Sequence, residues 1–415
     1  MNINSKAHTL IKRGNKYFKT DLSYLLKNGS WLFAGQIISI LSLLLLAMVF
    51  AQKLSPETYG TYKYILSTIG IFASISLSGL GITIIQSTAK GFEGLFRKSP
   101  KIYLKWSLPF FVLTLGGAVY YYLQGNMILA GSLAIGSILS PIFQSFNFFP
   151  HFLMGKKDFK TNTFLSISKN IFITIALIAV LFTTKNLFIL IVAYFLLHTI
   201  FNVCAYFYTS IKYKPNKNLS GEELSYAKHL SLMNILVTIA MHIDSILIFH
   251  FLGATQLAVY SFAILIPEQI KGILKNLTSL VLPKYSKNSL TTIKKNIQHK
   301  MFLLGITISL IIYTYILLAP SLYKLLFPIY TSSILYSQFF SIGLLGIIAS
   351  LPIAALQAHT SIKELYKLNT FFSVIKILLL ITLTPFYGIW GALASILITR
   401  ISTLALSYYL FIKKD

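Results

Sequence analysis

The sequence predicts an all-α, polytopic membrane protein. Hydrophobic residues make up 55% of the 415-residue chain, charged residues make up 11%, and the mean hydropathy is +0.72. Soluble domains usually contain roughly a quarter charged residues. Apolar runs of about 20 residues recur along the chain, and each is long enough to cross a hydrocarbon core of roughly 30 Å. From the number of these runs we therefore expect about twelve transmembrane helices.

The candidate spans follow one another with short connections. They lie near residues 31–50, 64–86, 106–123, 126–149, 164–182, 187–209, 229–251, 258–282, 301–319, 330–356, 369–384 and 389–411.

Basic residues are distributed unevenly between the two sides of this topology. If the N-terminus is cytoplasmic, the cytoplasmic segments hold 27 of the 36 Lys and Arg residues, and the opposite side holds only Lys53, Lys63, Lys185 and Lys324. Because positive loops resist translocation, this bias predicts that both termini are cytoplasmic. The net charge of +26 therefore reflects topology. We expect no nucleic-acid partner, although clustered Lys and Arg elsewhere neutralise phosphates.

Two nine-residue joints suggest a repeat of two six-helix halves. LSPETYGTY (Leu54 to Tyr62) joins spans one and two, and LGATQLAVY (Leu252 to Tyr260) joins spans seven and eight, 198 positions later. Equivalent positions in two halves are expected for lobes related by an axis along the membrane normal. We therefore predict pseudo-symmetric lobes around a central cavity.

The predicted organisation has four parts. Residues 1–28 form a basic cytoplasmic segment without a signal-peptide pattern, which either lies on anionic headgroups or only enforces topology. The N-lobe covers 29–210, a cytoplasmic inter-lobe loop covers 211–228, and the C-lobe covers 229–412. Cys204 stands alone, which excludes a disulfide framework and a thiolate metal site.

The predicted outer face offers no site for catalysis. Its loops are very short, at 124–126, 183–186, 253–256 and 385–388, and Glu57 is its only plausible acid. Paired carboxylates for acid–base chemistry are missing there. HExxH, CxxC and Walker-type glycine motifs are also missing from the sequence. We expect no catalytic residue, no metal site and no cofactor, and therefore not an enzyme.

Span eight, which contains FAILIPEQIKGILKN, carries three ionisable side chains. Glu268, Lys271 and Lys275 fall within one arc of about 100° on a helical wheel, and the opposite side is aliphatic. A charge at the bilayer centre costs about 3 kcal/mol on insertion scales, so it is retained where a cavity or partner offsets that cost. Glu268 and Lys271 are spaced to pair with each other. Lys275 either faces the cavity or extends to the cytoplasmic headgroups.

The equivalent span of the first half has a stripe of small residues on the matching face. It comprises Ser67, Gly70, Ser74, Ser78 and Gly81. Close helix packing is the favoured interpretation of this stripe, because Gly and Ser let backbones approach.

Further polar candidates lie in other spans. Span seven carries His242 and Asp244, and Asp244 is either a proton or cation site or a partner for a basic residue such as Arg400 in the last span. Lys169 and Lys376 are nearer helix ends and are expected to reach the headgroups. Ion coupling, by H⁺ or Na⁺, would have to use Asp244 or Glu268.

The net charge expected for the lining of the cavity is positive and favours an anionic substrate. Lys271, Lys275 and Arg400 outnumber Asp244 and Glu268. Such a lining suits a phosphate or pyrophosphate, whereas an exporter of cationic drugs should have a negatively charged lining.

The sequence resembles the Wzx-type oligosaccharide flippases of bacterial polysaccharide synthesis, members of a superfamily with multidrug extrusion proteins and the lipid II flippase. The resemblance is carried by KNGSWLFAGQIISILSLLLLAMVFAQKLSPETYGTYKYILS, by SGLGITIIQSTAKGFEG and by LGATQLAVYS. The chain departs from many relatives at Gly81 and Gln86, where they have an Asp and an Arg. This departure argues against a cation site in the N-lobe.

The resemblance implies a MATE-like, V-shaped pair of lobes in the bacterial cytoplasmic membrane. It implies transport of an undecaprenyl-pyrophosphate-linked repeat unit from the inner to the outer leaflet by alternating access, for O-antigen, capsule or another surface polymer. Membrane lipids, a polysaccharide polymerase and a chain-length regulator are the expected partners. Two alternatives remain: a multidrug or other cation-coupled exporter, and a membrane glycan polymerase or ligase, which would need an outer catalytic loop.

Overall fold

The computed structural model describes residues 22–279, 285, 289–359 and 362–414, so most of the predicted segment 1–28 lies outside it. No β-strand occurs among these residues, which confirms the all-α prediction. Two 3₁₀ segments cover Pro328–Tyr330 and Ile342–Ala349. The α-helices are α1 (Leu22–Lys53), α2 (Pro56–Ala73), α3 (Leu80–Ala89), α4 (Gly94–Trp106), α5 (Leu108–Leu123), α6 (Met127–Ser145), α7 (Phe149–Gly155), α8 (Phe159–Thr183), α9 (Leu187–Tyr213), α10 (Glu223–Leu252), α11 (Ala254–Ser279), α12 (Leu290–Leu326), α13 (Ser333–Ser341), α14 (Ser350–Ala358) and α15 (Ile362–Lys413).

Several predicted spans are broken rather than continuous. Within the described residues, 9 helices are long and apolar enough to cross a membrane. The count rises to 10 if α4 and α5, which are bent by 41° relative to each other, form one span. The predicted span 64–86 is divided into α2 and α3. At this break the Ser74 hydroxyl donates to the Ile71 carbonyl at 2.6 Å, so the side chain competes with the helical backbone bonds.

The last two predicted spans lie within α15, which turns back on itself at Gly388. Gly388 has φ 59° and ψ −137°, a conformation that favours glycine. A Cβ on Gly391 would lie 2.1 Å from the Leu383 carbonyl oxygen, although residues eight apart in a straight helix are separated by about 12 Å. The broken second span and this reversal account for the difference between ten spans and the twelve predicted.

The connection between the halves is shorter than the predicted loop 211–228. Helix α9 continues to Tyr213, and Lys214 ends it in the left-handed conformation with φ 43°. Helix α10 begins at Glu223, whose carboxylate accepts from the backbone N–H groups of Ser220 and Gly221 at 2.5 and 2.8 Å. The Glu223 carboxylate thus satisfies two donors of the connection and interacts favourably with the dipole of α10. Both helices extend into the predicted loop.

The small-residue stripe of the second span packs as expected. A Cβ on Gly70 would lie 2.9 Å from His242 Nε2, and a Cβ on Gly81 would lie 2.5 Å from His151 Nε2. The absent side chains therefore make room for two imidazole rings. The packing interpretation is confirmed at these two glycines.

The two halves meet along α2, which packs against α10 and α11. At the predicted outer end, a Cβ on Gly60 would lie 1.8 Å from the Ala254 carbonyl oxygen. The rings of Tyr59 and Phe262 lie 4.8 Å apart between centroids, and those of Tyr64 and Phe249 stack at 3.9 Å. Aromatic pairs of this kind contribute about 0.5–1.5 kcal/mol beyond their buried area. The predicted outer ends of the two halves are therefore in direct contact.

Replacing Gly60 with Val should separate the two halves at this end, because the new side chain collides with the Ala254 backbone. In protein carrying Cys204→Ser and a reporter Leu257→Cys, which is fully buried in the native arrangement, we expect faster maleimide labelling in nanodiscs. Gly116→Val is the matched control, since nothing lies within 4 Å of a Cβ at Gly116. Equal labelling rates in the two variants would contradict the close contact.

Candidate functional site

The charged face of α11 begins with a pair one helical turn apart. Lys271 Nζ donates to Glu268 Oε2 at 2.8 Å and to Oε1 at 3.2 Å. Residues spaced i,i+3 lie on the same face of a helix, so this contact follows directly from the sequence. Both side chains remain about one-third exposed, 36% for Lys271 and 33% for Glu268.

Arg400 completes a triad with this pair. Its Nη2 donates to Glu268 Oε1 from the second arm of α15, so the carboxylate lies between two cations. The guanidinium is largely buried and lies 4.7 Å from the centre of the Phe340 ring. The suggestion that Arg400 pairs with Asp244 is therefore wrong, because Glu268 occupies its charged end.

The 3₁₀ segment Ile342–Ala349 provides the surface on which Arg400 rests. Residues three apart are eclipsed in a 3₁₀-helix, which places Gly343 and Gly346 on one line. A Cβ on Gly343 would lie 2.7 Å from Arg400 Nη1, and a Cβ on Gly346 would lie 2.8 Å from Arg400 Cβ. Sequence reasoning missed this feature, and the spacing of the two glycines within an apolar span was the available signal.

Asp244 forms a second ion pair, with Lys376. Asp244 Oδ2 lies 3.5 Å from Lys376 Nζ and accepts from the Tyr260 hydroxyl at 2.7 Å. Asp244 is 6% exposed and Lys376 is 7% exposed. The prediction that Lys376 reaches the headgroups is therefore wrong, since its ammonium is buried against a carboxylate. Of the two roles considered for Asp244, the geometry shows internal pairing.

Residues from the other half extend this polar region. Lys63, expected only as an outer-side residue, lies close enough to Asp244 and His242 for their charges to interact. His242 in turn packs on Gly70 of α2. Tyr260, which donates to Asp244, lies on α11 like Glu268, so one helix contributes to both ion pairs.

The summed charge of the region is positive. The cations Lys63, Lys271, Lys376 and Arg400 face the anions Asp244 and Glu268, which leaves two positive charges with His242 neutral. Lys275 lies one turn beyond Lys271 and is exposed.

The charged face of α11 is directed towards the first half of the protein. A Cβ on Gly272 would lie 3.5 Å from Gln36 Nε2 of α1. Gly272 lies on the same face as Glu268 and Lys271, so this face borders the division between the halves. No group of three or more His, Cys, Asp or Glu residues that could hold a metal ion occurs in the described part of the chain.

The sequence profile of a family described as polysaccharide biosynthesis protein matches residues 25–289, more than half of the chain. The chain belongs to this family. The matched part of this family member includes Asp244, Glu268, Lys271 and Lys275. A search of curated proteins found no match.

Solved transporters of the MOP superfamily share the fold of this family member. The lipid II flippase MurJ in an inward closed conformation has a TM-score of 0.68 at 13% identity, over 94% of this chain and 88% of that chain. An outward-facing multidrug resistance MATE family transporter has a TM-score of 0.61 at 14% identity, over 93% and 94%. A MOP superfamily transporter from Pyrococcus furiosus has a TM-score of 0.58 at 11% identity, over 94% and 97%. The MATE-like fold is confirmed.

Neutralising only one member of the buried Asp244–Lys376 pair should be strongly destabilising. Asp244→Asn leaves the Lys376 ammonium buried without its carboxylate, at an expected cost of about 3–5 kcal/mol in unfolding free energy. The double variant Asp244→Asn/Lys376→Met should regain most of this loss, because no unpaired charge remains. Unfolding midpoints in detergent micelles measure both effects, with exposed Lys324→Met as the control. Additive losses in the double variant would exclude the pair.

Adding a methyl group at Gly346 should displace Arg400, because the contact is with the rigid Cβ of the arginine. Overpacking of this kind typically costs about 1–3 kcal/mol, and we expect Gly346→Ala to lose that much unfolding free energy. Gly305→Ala is the control, since its Cβ would meet Ile348 Cδ1 at an ordinary 3.4 Å. Native stability in Gly346→Ala would refute the close fit.

Proposed function

We propose that this protein is a flippase for undecaprenyl-pyrophosphate-linked oligosaccharide repeat units. It moves them from the inner to the outer leaflet of the bacterial cytoplasmic membrane by alternating access, for O-antigen, capsule or another surface polysaccharide. Membership of the polysaccharide biosynthesis protein family supports a role in this pathway. The fold shared with the lipid II flippase MurJ supports transport of a lipid-linked substrate.

The Glu268 triad is the observation that carries the proposal. Arg400 offsets the charge of Glu268, so the partly exposed Lys271 side chain carries a positive charge that the carboxylate does not cancel. Without Arg400, Lys271 and Glu268 would form a neutral pair. Charge-assisted hydrogen bonds to phosphate are roughly twice as strong as neutral ones, so this arrangement favours a pyrophosphate.

The division between the halves gives the substrate its route. The triad faces α1 of the first half, and the lipid tail would remain in the bilayer while the polar head crosses between the halves. Release on the outer side requires the Tyr59–Phe262 and Tyr64–Phe249 contacts to separate. Those contacts therefore act as the outer gate of the proposed cycle.

The remaining parts of the proposal concern the setting of the protein. Both termini are placed in the cytoplasm, on the basis of the distribution of Lys and Arg. The partners are membrane lipids, a polysaccharide polymerase and a chain-length regulator. A coupling ion, H⁺ or Na⁺, would have to compete with Lys376 for the Asp244 carboxylate, or with Lys271 and Arg400 for the Glu268 carboxylate.

A multidrug exporter is the alternative favoured by one observation, the fold shared with a multidrug resistance MATE transporter. The positive charge around Glu268 opposes it, because a cationic drug would be repelled. Deletion of the gene discriminates between the two: the exporter predicts drug sensitivity with unchanged surface glycan, and the flippase predicts loss of the glycan. A glycan polymerase or ligase is disfavoured, because Glu57 is the only acid in the predicted outer loops.

Charge changes in the triad should alter transport in a pattern that depends on net charge. Lys271→Met and Arg400→Met each remove one positive charge, and we expect each to lower flipping of lipid-linked oligosaccharide into proteoliposomes. The loss should be roughly 10- to 100-fold, which corresponds to about 1.5–3 kcal/mol for a hydrogen bond to a charged group.

The double variant Glu268→Gln/Arg400→Met should recover activity, because Lys271 is again an uncompensated cation. Surface polysaccharide in cells, compared at equal protein level, provides the second measurement. An Arg400→Met defect that Glu268→Gln fails to rescue would show that Arg400 has only a structural role. Normal polymer in a Lys271→Ala/Lys275→Ala variant would reject the anion site itself.

A further inference from the structure

The side of α1 that faces α11 carries an amide with unused hydrogen-bonding capacity. Gln36 Nε2 lies against Gly272 of α11, 3.5 Å from the position that a Cβ would take there. Gly272 directly follows Lys271, so this amide borders the triad across the division between the halves. The Gln36 side chain is partly buried, and it forms no hydrogen bond with any residue of the described ranges. Its two donors and its acceptor oxygen are therefore available.

A second amide continues this uncharged polar surface. Ser39 lies three residues after Gln36 on α1 and therefore on a neighbouring side of the helix. Its hydroxyl accepts from Asn170 Nδ2 of α8 at 2.6 Å, and Asn170 Oδ1 has no hydrogen-bond partner in the part of the chain that the structure describes. Helix α1 carries charged side chains only at Lys27 and Lys53, near its two ends. The first half thus presents neutral amides where the second half presents charges.

The cation next to Asn170 in the chain is directed elsewhere. Lys169 Nζ donates to Asn147 Oδ1 at 3.2 Å and lies 5.7 Å from the centre of the Phe143 ring. The side chain therefore turns towards the junction of α6 and α7 instead of extending to the headgroups. The expectation that Lys169 reaches the headgroups is wrong for this reason. At Ser39, the contact between α8 and α1 is made by the neutral amide of Asn170 and not by this lysine.

Amide and ammonium groups suit different parts of a lipid-linked sugar. An amide offers both donors and an acceptor, and a sugar hydroxyl also donates and accepts, so the two are complementary. A pyrophosphate supplies acceptor oxygens and negative charge, which suit the ammonium of Lys271. Because the first sugar is bonded directly to the pyrophosphate, a group that recognises this sugar must lie beside the group that holds the phosphates. Gln36 meets this requirement, since it contacts the residue that follows Lys271.

We propose that Gln36 is a specificity-determining residue, which recognises hydroxyl groups of the first sugar while the triad holds the pyrophosphate. The inference rests on the proposed flippase function and assigns a part of the substrate to the first half of the protein. On the predicted topology, Gln36 lies near the cytoplasmic end of its span, where a head group of the inner leaflet enters. A carrier without sugar leaves the amide unpaired and is bound less tightly. The protein thereby distinguishes a sugar-bearing carrier from a bare one.

Binding titrations on the full-length protein in nanodiscs test this role with two probes. One is undecaprenyl pyrophosphate, and the other is the lipid-linked oligosaccharide extracted from cells that lack the gene. We expect the native protein to bind the oligosaccharide probe more tightly. Gln36→Met keeps the length of the side chain but removes its hydrogen bonds. It should weaken binding of the oligosaccharide probe roughly 3- to 10-fold, the loss of about one hydrogen bond, and leave binding of undecaprenyl pyrophosphate unchanged.

A matched control lies on the same helix. Gln52→Met, at an exposed glutamine near the other end of α1, should change the binding of neither probe. Equal weakening of both probes by Gln36→Met would overturn the inference, because the amide would then act only in the contact between α1 and α11. Equal affinity of the native protein for the two probes would overturn it as well, since no sugar would be recognised.

Lys271→Met separates this inference from the proposed function. If Lys271→Met weakens binding of undecaprenyl pyrophosphate while Gln36→Met changes the binding of neither probe, the role of Gln36 is overturned and the proposed function stands. If the native protein binds neither probe, both are overturned. Unfolding midpoints show whether a loss of binding reflects a loss of fold. Gln36→Ala, which also removes the amide, should give the same selective loss and replaces Gln36→Met if that variant does not fold.

Discussion

Glu268 accepts hydrogen bonds from two cations that reach it from different spans, and much of the polar interior is arranged around that carboxylate. Lys271 approaches along the same helix, and Arg400 approaches across the second half from the last span. Arg400 is largely buried, so loss of the carboxylate would leave its guanidinium without a counter-charge, whereas the complete cluster is tolerated. The packing of α11, α15 and the glycine-bearing 3₁₀ segment is therefore coupled to the charge state of one side chain.

The chain must also satisfy every backbone polar group inside the hydrocarbon layer, and this requirement made most of the fold predictable. Apolar run length identified the spans because only helices satisfy those groups within a single segment. It did not identify the breaks. The break between α2 and α3 contains the Ser74 hydroxyl bonded to a backbone carbonyl, and the reversal at Gly388 requires one residue with positive φ. Both are local features that leave the mean hydropathy of the segment almost unchanged.

The candidate site was predictable only within single helices. The Glu268–Lys271 contact follows from the helical repeat, and a common face for Lys275 follows from the same geometry. The partners supplied by other helices could not be predicted. Arg400 pairs with Glu268, Lys376 pairs with Asp244, and Lys63 of the first half lies near Asp244. Such pairs depend on the rotation of each helix about its axis, which packing determines and a single sequence does not encode in its spacing.

The eight-residue 3₁₀ segment in span ten changes the geometry of the whole span. At about 2.0 Å per residue it covers roughly 16 Å, where an α-helix would cover about 12 Å. Its tighter winding, about 120° per residue instead of about 100°, also turns α14 by roughly 160° relative to the orientation that a continuous α-helix would give it. Any return to α-helical winding would therefore shorten the span and rotate the glycine pair away from Arg400, so that backbone pitch and the electrostatics of Glu268 change together.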